Sequence, residues 1–206
     1  MKTASTLTRR LCLLLLCAAL LAPAALAELV PYDPPFPDVP ADHPCAQAAE
    51  ALFGLGIFTG DENGNFNPDS TISRAEAAAV VCRLLELDAD AAPDQVFTDV
   101  PAAHWAAGYV AAAADAGFLN GYGDGRFGPS SPVTYEQLVK MLLAAWGYTE
   151  QAEAAGGYPG GYEAVAETLG VTADQADRSA PALRSTAAIL MYRLLQCSPA
   201  VPDSDV

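Results

Sequence analysis

A chain of 206 residues is long enough for one ordinary domain, or for several small units that share a core. Its 25 Asp and Glu residues outnumber its 10 Lys and Arg residues, and the formal net charge is −15. A surface this acidic disfavours nucleic acid and anionic lipid as partners, because both would be repelled. An anionic ligand would therefore have to bind at a few cations set in a pocket.

The first 27 residues are typical of a secretory signal peptide. Lys2, Arg9 and Arg10 precede an apolar run over 11–21 that is too short to span a bilayer, and a small-residue cleavage site follows. A lipoprotein signal is the alternative, but its lipidated cysteine would end the run, and Cys17 lies inside it. We expect a secreted protein without a membrane segment after cleavage, with 7 cationic and 25 acidic side chains left.

After a Pro-rich lead over 28–35, the chain repeats itself at an offset of 61 residues. Each copy predicts a short Ala-rich helix, a glycine-containing loop and a second, apolar helix. We predict repeat 1 over 36–92, repeat 2 over 93–150, a degenerate repeat 3 over 151–197 and a tail over 198–206. The aligned pairs include Phe36 and Phe97, Asp38 and Asp99, His43 and His104, Gly64 and Gly125, and Phe66 and Phe127.

The second helix of each clear repeat begins with a predicted capping box, in which a hydroxyl and a longer polar side chain satisfy free N–H groups. Ser73 and Glu76 have the required spacing, and Thr134 and Gln137 occupy the same positions in repeat 2. We assign these four side chains to helix capping. Arg74 then becomes the first residue of a helix, with its side chain expected to point freely outward.

Repeat 3 is predicted from weaker signals. An offset of 110 residues places Arg184 on Arg74, without a capping box. Upstream, 162–169 predicts a first helix, and the glycine-rich stretch 156–161 predicts a flexible joint. A cation beside the free N–H groups of a helix start favours an anion, so both arginines are candidate ligand contacts. The alternative for Arg74 is a solvated side chain paired with a nearby carboxylate.

Taken in order, Phe-x-Asp-Val-Pro, a following His, Gly-x-x-x-Gly-x-Phe-x-Pro and Ser-Arg-Ala-Glu resemble the S-layer homology domain family. The resemblance covers about 36–197. It implies an all-α fold in which three helix-loop-helix repeats form a pseudo-threefold helical bundle. It also implies that grooves between repeats bind an anionic, typically pyruvylated, secondary polysaccharide attached to peptidoglycan.

The resemblance further implies which residues would contact such a glycan. A ketal carboxylate would pair with an arginine, whose planar guanidinium offers two parallel donors. Aromatic rings would stack on a sugar face, and the turn aspartates would either line a groove or hold a turn. The candidate glycan-binding residues are Arg74, Arg184, Trp105, Tyr135, Asp38 and Asp99.

No cofactor, metal site or catalytic set is predicted. Cys45, Cys82 and Cys197 lie beyond the leader at unrelated spacings, which supports neither a disulfide framework nor a metal site. We therefore predict a non-enzymatic protein that anchors itself at the cell wall, with the wall polymer as its partner. The alternative is an S-layer structural or assembly protein whose grooves contact other proteins, such as S-layer subunits.

Overall fold

The structure, a computed structural model, describes residues 34–89 and 96–200. The predicted signal peptide, most of the Pro-rich lead and residues 201–206 of the tail lie outside the described residues. Within the described ranges the chain forms helices and isolated bridges but no sheet, which confirms the all-α class. The helices are α1 (Ala46–Gly54), α2 (Arg74–Leu84), α3 (Ala107–Asp115), α4 (Tyr135–Ala145), α5 (Thr149–Ala154), α6 (Gly160–Leu169) and α7 (Arg184–Leu194).

Both predicted capping boxes are present. The Ser73 hydroxyl accepts the Glu76 N–H at 3.2 Å, and the Glu76 carboxylate accepts the Ser73 N–H at 2.8 Å. Thr134 and Gln137 make the same two bonds at the start of α4, each at 3.3 Å. The residue before α7 makes no side-chain cap, in agreement with the sequence. These bonds fix the first helical residue of α2 and of α4.

A closed ring of backbone hydrogen bonds joins the segments that lead into the three long helices, α2, α4 and α7. The Ile72 N–H donates to the Ala182 carbonyl at 3.0 Å, the Ala182 N–H to the Val133 carbonyl at 2.9 Å, and the Val133 N–H to the Ile72 carbonyl at 3.0 Å. Each segment donates once and accepts once. The hydrogen-bond pattern is therefore cyclic, with one step for each of the three segments.

Each long helix packs on the short helix of the next unit. α2 contacts α3, α4 contacts α6, and α7 contacts α1, while α4 also contacts α2 and α7. Fully buried residues from all three units, among them Phe66, Phe127 and Leu190, belong to one core cluster. A single helix-loop-helix unit is too small to bury its own apolar face, so the long helix of each unit packs on the short helix of another. The start of each long helix therefore lies against a loop of the neighbouring unit. We call each of these three contacts a junction.

One aspartate holds the loop between the helices in both clear repeats. The two carboxylate oxygens of Asp38 accept the N–H groups of Phe66 and Asn67 at 2.7 and 2.6 Å. Asp99 makes the equivalent bonds in repeat 2, both at 2.8 Å. Burial raises the pKa of the Asp99 carboxyl, but its backbone N–H bonds, with the charge of Arg126, together hold the pKa below its usual value.

The connection between repeats 2 and 3 contains more helix than the sequence predicted. The expected flexible joint contains the start of α6 at Gly160, and α5 directly precedes it. A Cβ at Gly161 would lie 2.2 Å from the Ala152 carbonyl oxygen, so only glycine allows this close approach of α6 to α5. Glycine at this position is required by close helix packing, which the local sequence does not reveal.

Candidate functional site

Arg74, at the start of α2, is held against the loop of repeat 2. Its Nε donates to the Phe127 carbonyl and its Nη2 to the Asn120 carbonyl, both at 2.8 Å. Its guanidinium also lies 4.6 Å from the ring centroid of Phe127 and 4.9 Å from that of Tyr122. Arg74 is only 8% exposed, so the expectation that it points freely outward is wrong. Two carbonyls and two ring faces draw it into the junction.

The cavity beside this side chain, which we call the Arg74 groove, is cationic. It has a volume of about 200 Å³, and its described lining includes two cations, Arg74 and Lys140, and no acidic residue. Nη1 of Arg74 donates to no described residue. Burial lowers the pKa of the guanidinium, and Tyr122 and Asp99 partly oppose that shift. The side chain remains charged, because the intrinsic pKa of arginine is very high. The other lining residues are Phe118, Leu119, Asn120, Gly121, Tyr122, Gln137, Met141 and Tyr158.

Arg184, at the start of α7, makes equivalent contacts with the loop of repeat 1 and one additional ion pair. Its Nε donates to the Phe66 carbonyl at 2.7 Å, and its Nη2 lies 3.5 Å from the Thr59 carbonyl oxygen. Its Nη1 lies 3.2 Å from Oε1 of Glu76. All three nitrogens of this guanidinium therefore have protein partners. Burial lowers its pKa, and the charge of Glu76 opposes that shift.

The cavity beside Arg184, which we call the Arg184 groove, is larger and has balanced charges. Its volume is about 390 Å³, and its described lining contains two cations, Arg83 and Arg184, and two acids, Asp61 and Glu76. The remaining lining residues are Phe58, Thr59, Gly60, Asn67, Ser70, Thr71, Ala79, Val80 and Trp105.

Tyr135 occupies the equivalent helix start at the third junction, and its ring is fully buried. Its hydroxyl accepts the Ala173 N–H at 3.2 Å, and the Arg178 guanidinium lies 4.6 Å from its ring centroid. The expectation that Tyr135 stacks on a sugar is wrong, because its ring has no accessible face. The side chain is part of the core where the other two junctions present an arginine.

Trp105 is 59% exposed and lies at the edge of the Arg184 groove. It stands just before α3, which packs on α2. Its ring is stacked on that of His104, with 5.8 Å between the centroids. Nδ1 of His104 accepts the Ala106 N–H at 3.1 Å, as His43 does for Cys45 at 3.2 Å. Each histidine thus supports the start of a short helix, and His104 also supports the tryptophan.

The other sequence candidates have structural contacts. Asp38 and Asp99 anchor loops and line neither groove, so their turn role has support and their glycan role has none. Ser73 and Thr134 cap their helices as expected. The two longer capping side chains, Glu76 and Gln137, also line the Arg184 and Arg74 grooves, respectively.

Sequence reasoning missed three residues of the Arg74 groove: Lys140, Tyr122 and Tyr158. The Lys140 ammonium lies 5.4 Å from the ring centroid of Tyr158. Two signals were available. Lys140 is the only lysine after the predicted signal peptide. Tyr158 stands two residues before α6, as Trp105 stands two residues before α3.

Two further site classes have no candidate in the described part of the chain. No cluster of three or more His, Cys, Asp or Glu side chains could hold a metal ion there. Among the described helices, none has the length and apolar character needed to cross a membrane.

Two segments, 35–78 and 96–139, match the family model of the S-layer homology domain. Each segment begins just before the aspartate that anchors a loop, and they end inside α2 and α4. The first segment therefore includes Arg74 at the start of α2, and the second includes Tyr135 at the start of α4.

Known relatives are surface or cell-wall proteins of much greater length. The chain is 35% identical to a cell surface protein of Thermoanaerobacter kivui, over 66% of this chain and 18% of that protein. It is 39% identical to the surface-layer 125 kDa protein of Lysinibacillus sphaericus, over 48% of this chain and 8% of that protein. It is 34% identical to the middle cell wall protein of Brevibacillus brevis, over 64% of this chain and 12% of that protein.

The chain spans less than a fifth of the length of each of these relatives. The similarity therefore concerns a module that longer surface proteins also contain. It supports a location at the cell surface or in the cell wall. The two segments that match the family model, 35–78 and 96–139, are each similar to the S-layer homology domain.

Proposed function

We propose that this protein binds an acidic, pyruvylated secondary wall polysaccharide without a covalent bond, and so anchors itself at the bacterial surface. The observation that carries the proposal is the Arg74 groove, where Nη1 of a nearly buried arginine has no described partner and Lys140 supplies a second cation. This concentration of positive charge stands out in a chain whose net charge is −15.

The chemistry of the groove suits a sugar that carries a carboxylate. The backbone carbonyls fix the arginine through Nε and Nη2, so Nη1 is positioned before the ligand arrives. An ionised acceptor strengthens a hydrogen bond, and a low-dielectric junction reduces screening by salt. Tyr122 and Tyr158, 53% and 45% exposed, offer flat surfaces beside the charge for the sugar ring.

Co-sedimentation with wall sacculi tests the function as a whole. The purified protein should pellet with sacculi that carry their secondary polymer, and should remain in solution with sacculi stripped of it. Chemical removal of pyruvate from the polymer should reduce the pelleted fraction. Equal pelleting with intact and stripped sacculi would refute the proposal.

A single substitution, Gln137→Glu, tests the Arg74 groove itself. Glutamate keeps the capping box and places a carboxylate beside Arg74, as Glu76 stands beside Arg184. We expect affinity for the native polymer to fall by about tenfold, or ~1.4 kcal/mol, at unchanged thermal stability. Gln47→Glu is the matched control, because it adds the same charge at an exposed position of α1 that lines neither groove. Equal affinity of both variants would argue against this site.

The second candidate function is a structural or assembly role through contacts with other proteins. Two observations favour it: the third junction is filled by Tyr135, and α1 ends in exposed apolar side chains, with Phe53 46% and Leu55 62% exposed. Concentration-dependent self-association in light scattering, together with no binding to sacculi, would select this alternative.

A further inference from the structure

Asparagine is followed by glycine at two places in the chain, Asn63-Gly64 in repeat 1 and Asn120-Gly121 in repeat 2. In such a dipeptide the backbone nitrogen of the glycine can attack the asparagine side chain, because glycine has no Cβ to obstruct the approach. Both asparagines are exposed to solvent. Their surroundings differ, so each dipeptide serves as a control for the other.

The loop of repeat 1 restrains its dipeptide and surrounds it with negative charge. The Gly64 N–H donates to the Asp61 carbonyl at 2.9 Å, and the Asn63 N–H donates to Oδ1 of Asp61 at 2.8 Å. The nitrogen that would attack is therefore already hydrogen-bonded. The nearby carboxylate also opposes the anion that forms when this nitrogen loses its proton.

The dipeptide of repeat 2 lies beside a cation. The Gly121 N–H donates to no described residue, and the Asn120 side chain makes no hydrogen bond with one. The Asn120 carbonyl belongs to the same peptide group as this N–H, and it accepts Nη2 of Arg74 at 2.8 Å. When the nitrogen loses its proton, the negative charge is shared with that oxygen, so the guanidinium stabilises the anion.

We propose that Asn120 is a site of spontaneous deamidation, which Arg74 accelerates. The Gly121 nitrogen loses its proton and forms a bond with the side-chain carbonyl carbon of Asn120. The bond from that carbon to the side-chain nitrogen breaks, and ammonia leaves. Water then opens the cyclic imide at either carbonyl, which gives aspartate or an isoaspartate whose main chain runs through the side-chain carbon. No oxidant or reductant is needed.

The fold preserves this reactive dipeptide in repeat 2 alone. A Cβ at Gly121 would lie 2.6 Å from the Arg126 carbonyl oxygen, so close packing requires glycine there. The aligned dipeptide of repeat 1 is Thr59-Gly60, and Nη2 of Arg184 lies 3.5 Å from its threonine carbonyl oxygen. Threonine has no side-chain amide to lose. The reaction is therefore confined to the Arg74 groove.

Deamidation changes the Arg74 groove in two ways. Asn120 is part of the lining, so aspartate adds a negative charge beside Arg74 and Lys140. Isoaspartate also lengthens the main chain next to the carbonyl that holds Arg74. Both changes weaken the binding of an anion, and anchoring then declines as the protein ages. This consequence rests on the proposed function, whereas the chemical step does not.

Peptide mapping by mass spectrometry, during incubation at pH 8 and 37 °C, measures both sites in one sample. In the folded protein we expect Asn120 to deamidate about tenfold faster than Asn63, because the charges beside the two nitrogens are opposite. In urea the two rates should converge, since the folded surroundings are lost. Asn63 reacting as fast as Asn120 in the folded protein would overturn the proposal.

Substitution of the arginine tests its part in the reaction. Arg74→Met should slow deamidation of Asn120 by about tenfold and leave the rate at Asn63 unchanged, because only the first site loses a cation. Arg74→Lys, which keeps a positive charge, should give an intermediate rate at Asn120. A rate at Asn120 that stays the same or rises in Arg74→Met would refute the acceleration by Arg74.

The consequence for binding has its own test. Asn120→Asp reproduces one product, and affinity electrophoresis with wall polysaccharide released from sacculi should show about tenfold weaker binding. Asn63→Asp adds the same charge at an exposed position that lines neither groove, and should leave the affinity unchanged. Equal affinity of the two variants would overturn this consequence alone. No binding by the unmodified protein would refute the proposed function as well, while the deamidation rates decide the chemical step by themselves.

Discussion

The Arg74 and Arg184 grooves share a scaffold and differ in charge. In both, an arginine at a helix start donates through Nε and Nη2 to equivalent carbonyls of the next unit's loop. The difference comes from the third residue of the long helix that faces the arginine. This residue is Gln137 in the Arg74 groove and Glu76 in the Arg184 groove. Glutamate pairs with its arginine, and glutamine leaves Nη1 without a described partner.

This difference shows that a capping residue can also set the charge of a groove. Glutamate and glutamine are interchangeable in a capping box, because either can accept the N-cap N–H. A single exchange at this position therefore changes the net charge of the groove without changing the helix start. Substitutions in matched pairs test whether this charge difference controls binding.

The largest effect is expected from removal of each arginine. Arg74→Met keeps most of the side-chain volume but removes the donor to a ligand carboxylate, and we expect binding of the native polymer to weaken about 100-fold, or ~2.7 kcal/mol. Arg184→Met should weaken it less than tenfold, because that guanidinium is already paired. Isothermal titration calorimetry measures both.

Both variants also lose hydrogen bonds to two loop carbonyls, so thermal unfolding must accompany the titration. Similar losses of stability in the two variants are expected, because their backbone acceptors are equivalent. Equal losses of affinity would remove the functional distinction between the grooves.

A smaller effect is expected when the loop anchors are changed one at a time. Asp99→Asn replaces a charged acceptor of two N–H groups and should lower the free energy of unfolding by about 1 kcal/mol, a figure reduced for partial exposure to water. It should weaken binding in the Arg74 groove, whose loop it holds. Asp38→Asn should instead affect the Arg184 groove.

The effect of Asp99 has a defined pH dependence. The folded pKa of this carboxyl is lower than its usual value, so its stabilisation is complete above the unfolded pKa of about 4. It is lost as the pH falls through the folded pKa. Chemical denaturation at pH 7 and pH 3 should therefore show a smaller difference between Asp99→Asn and the unmodified protein at the lower pH. A difference that grows on acidification would contradict this role.

Local features of this fold were predictable from the sequence because their chemistry lies within a few residues. The capping boxes at Ser73 and Thr134, and the position of Arg74 as a first helical residue, follow from spacing alone. The all-α class follows from the repeated helical pattern and the family resemblance. The repeat boundaries at 92 and 150 stay predictions.

The surroundings of these residues were not predictable, because they depend on how helices of different units pack on each other. Arg74 is buried by the loop of repeat 2, and Tyr135 is buried by residues of repeat 3. Lys140 and Tyr158 approach each other because α4 packs on α6. In such a ring, a neighbouring unit determines how exposed a side chain is. The residue spacing within one repeat carries no information about that neighbour.

The smallest effect is expected from the reverse exchange, Glu76→Gln. It keeps the capping box, removes the ion pair with Arg184 and gives the Arg184 groove the electrostatics of the Arg74 groove. Binding of the native polymer should tighten by about threefold, or ~0.7 kcal/mol, because Asp61 still opposes an anion there. Thermal stability should change little, since the pair is partly exposed and such pairs contribute about 0–1 kcal/mol. Titration in an Arg74→Met background isolates this groove. If the double variant Arg74→Met, Glu76→Gln binds the polymer more weakly than Arg74→Met alone, Glu76 contacts the ligand and does not compete with it.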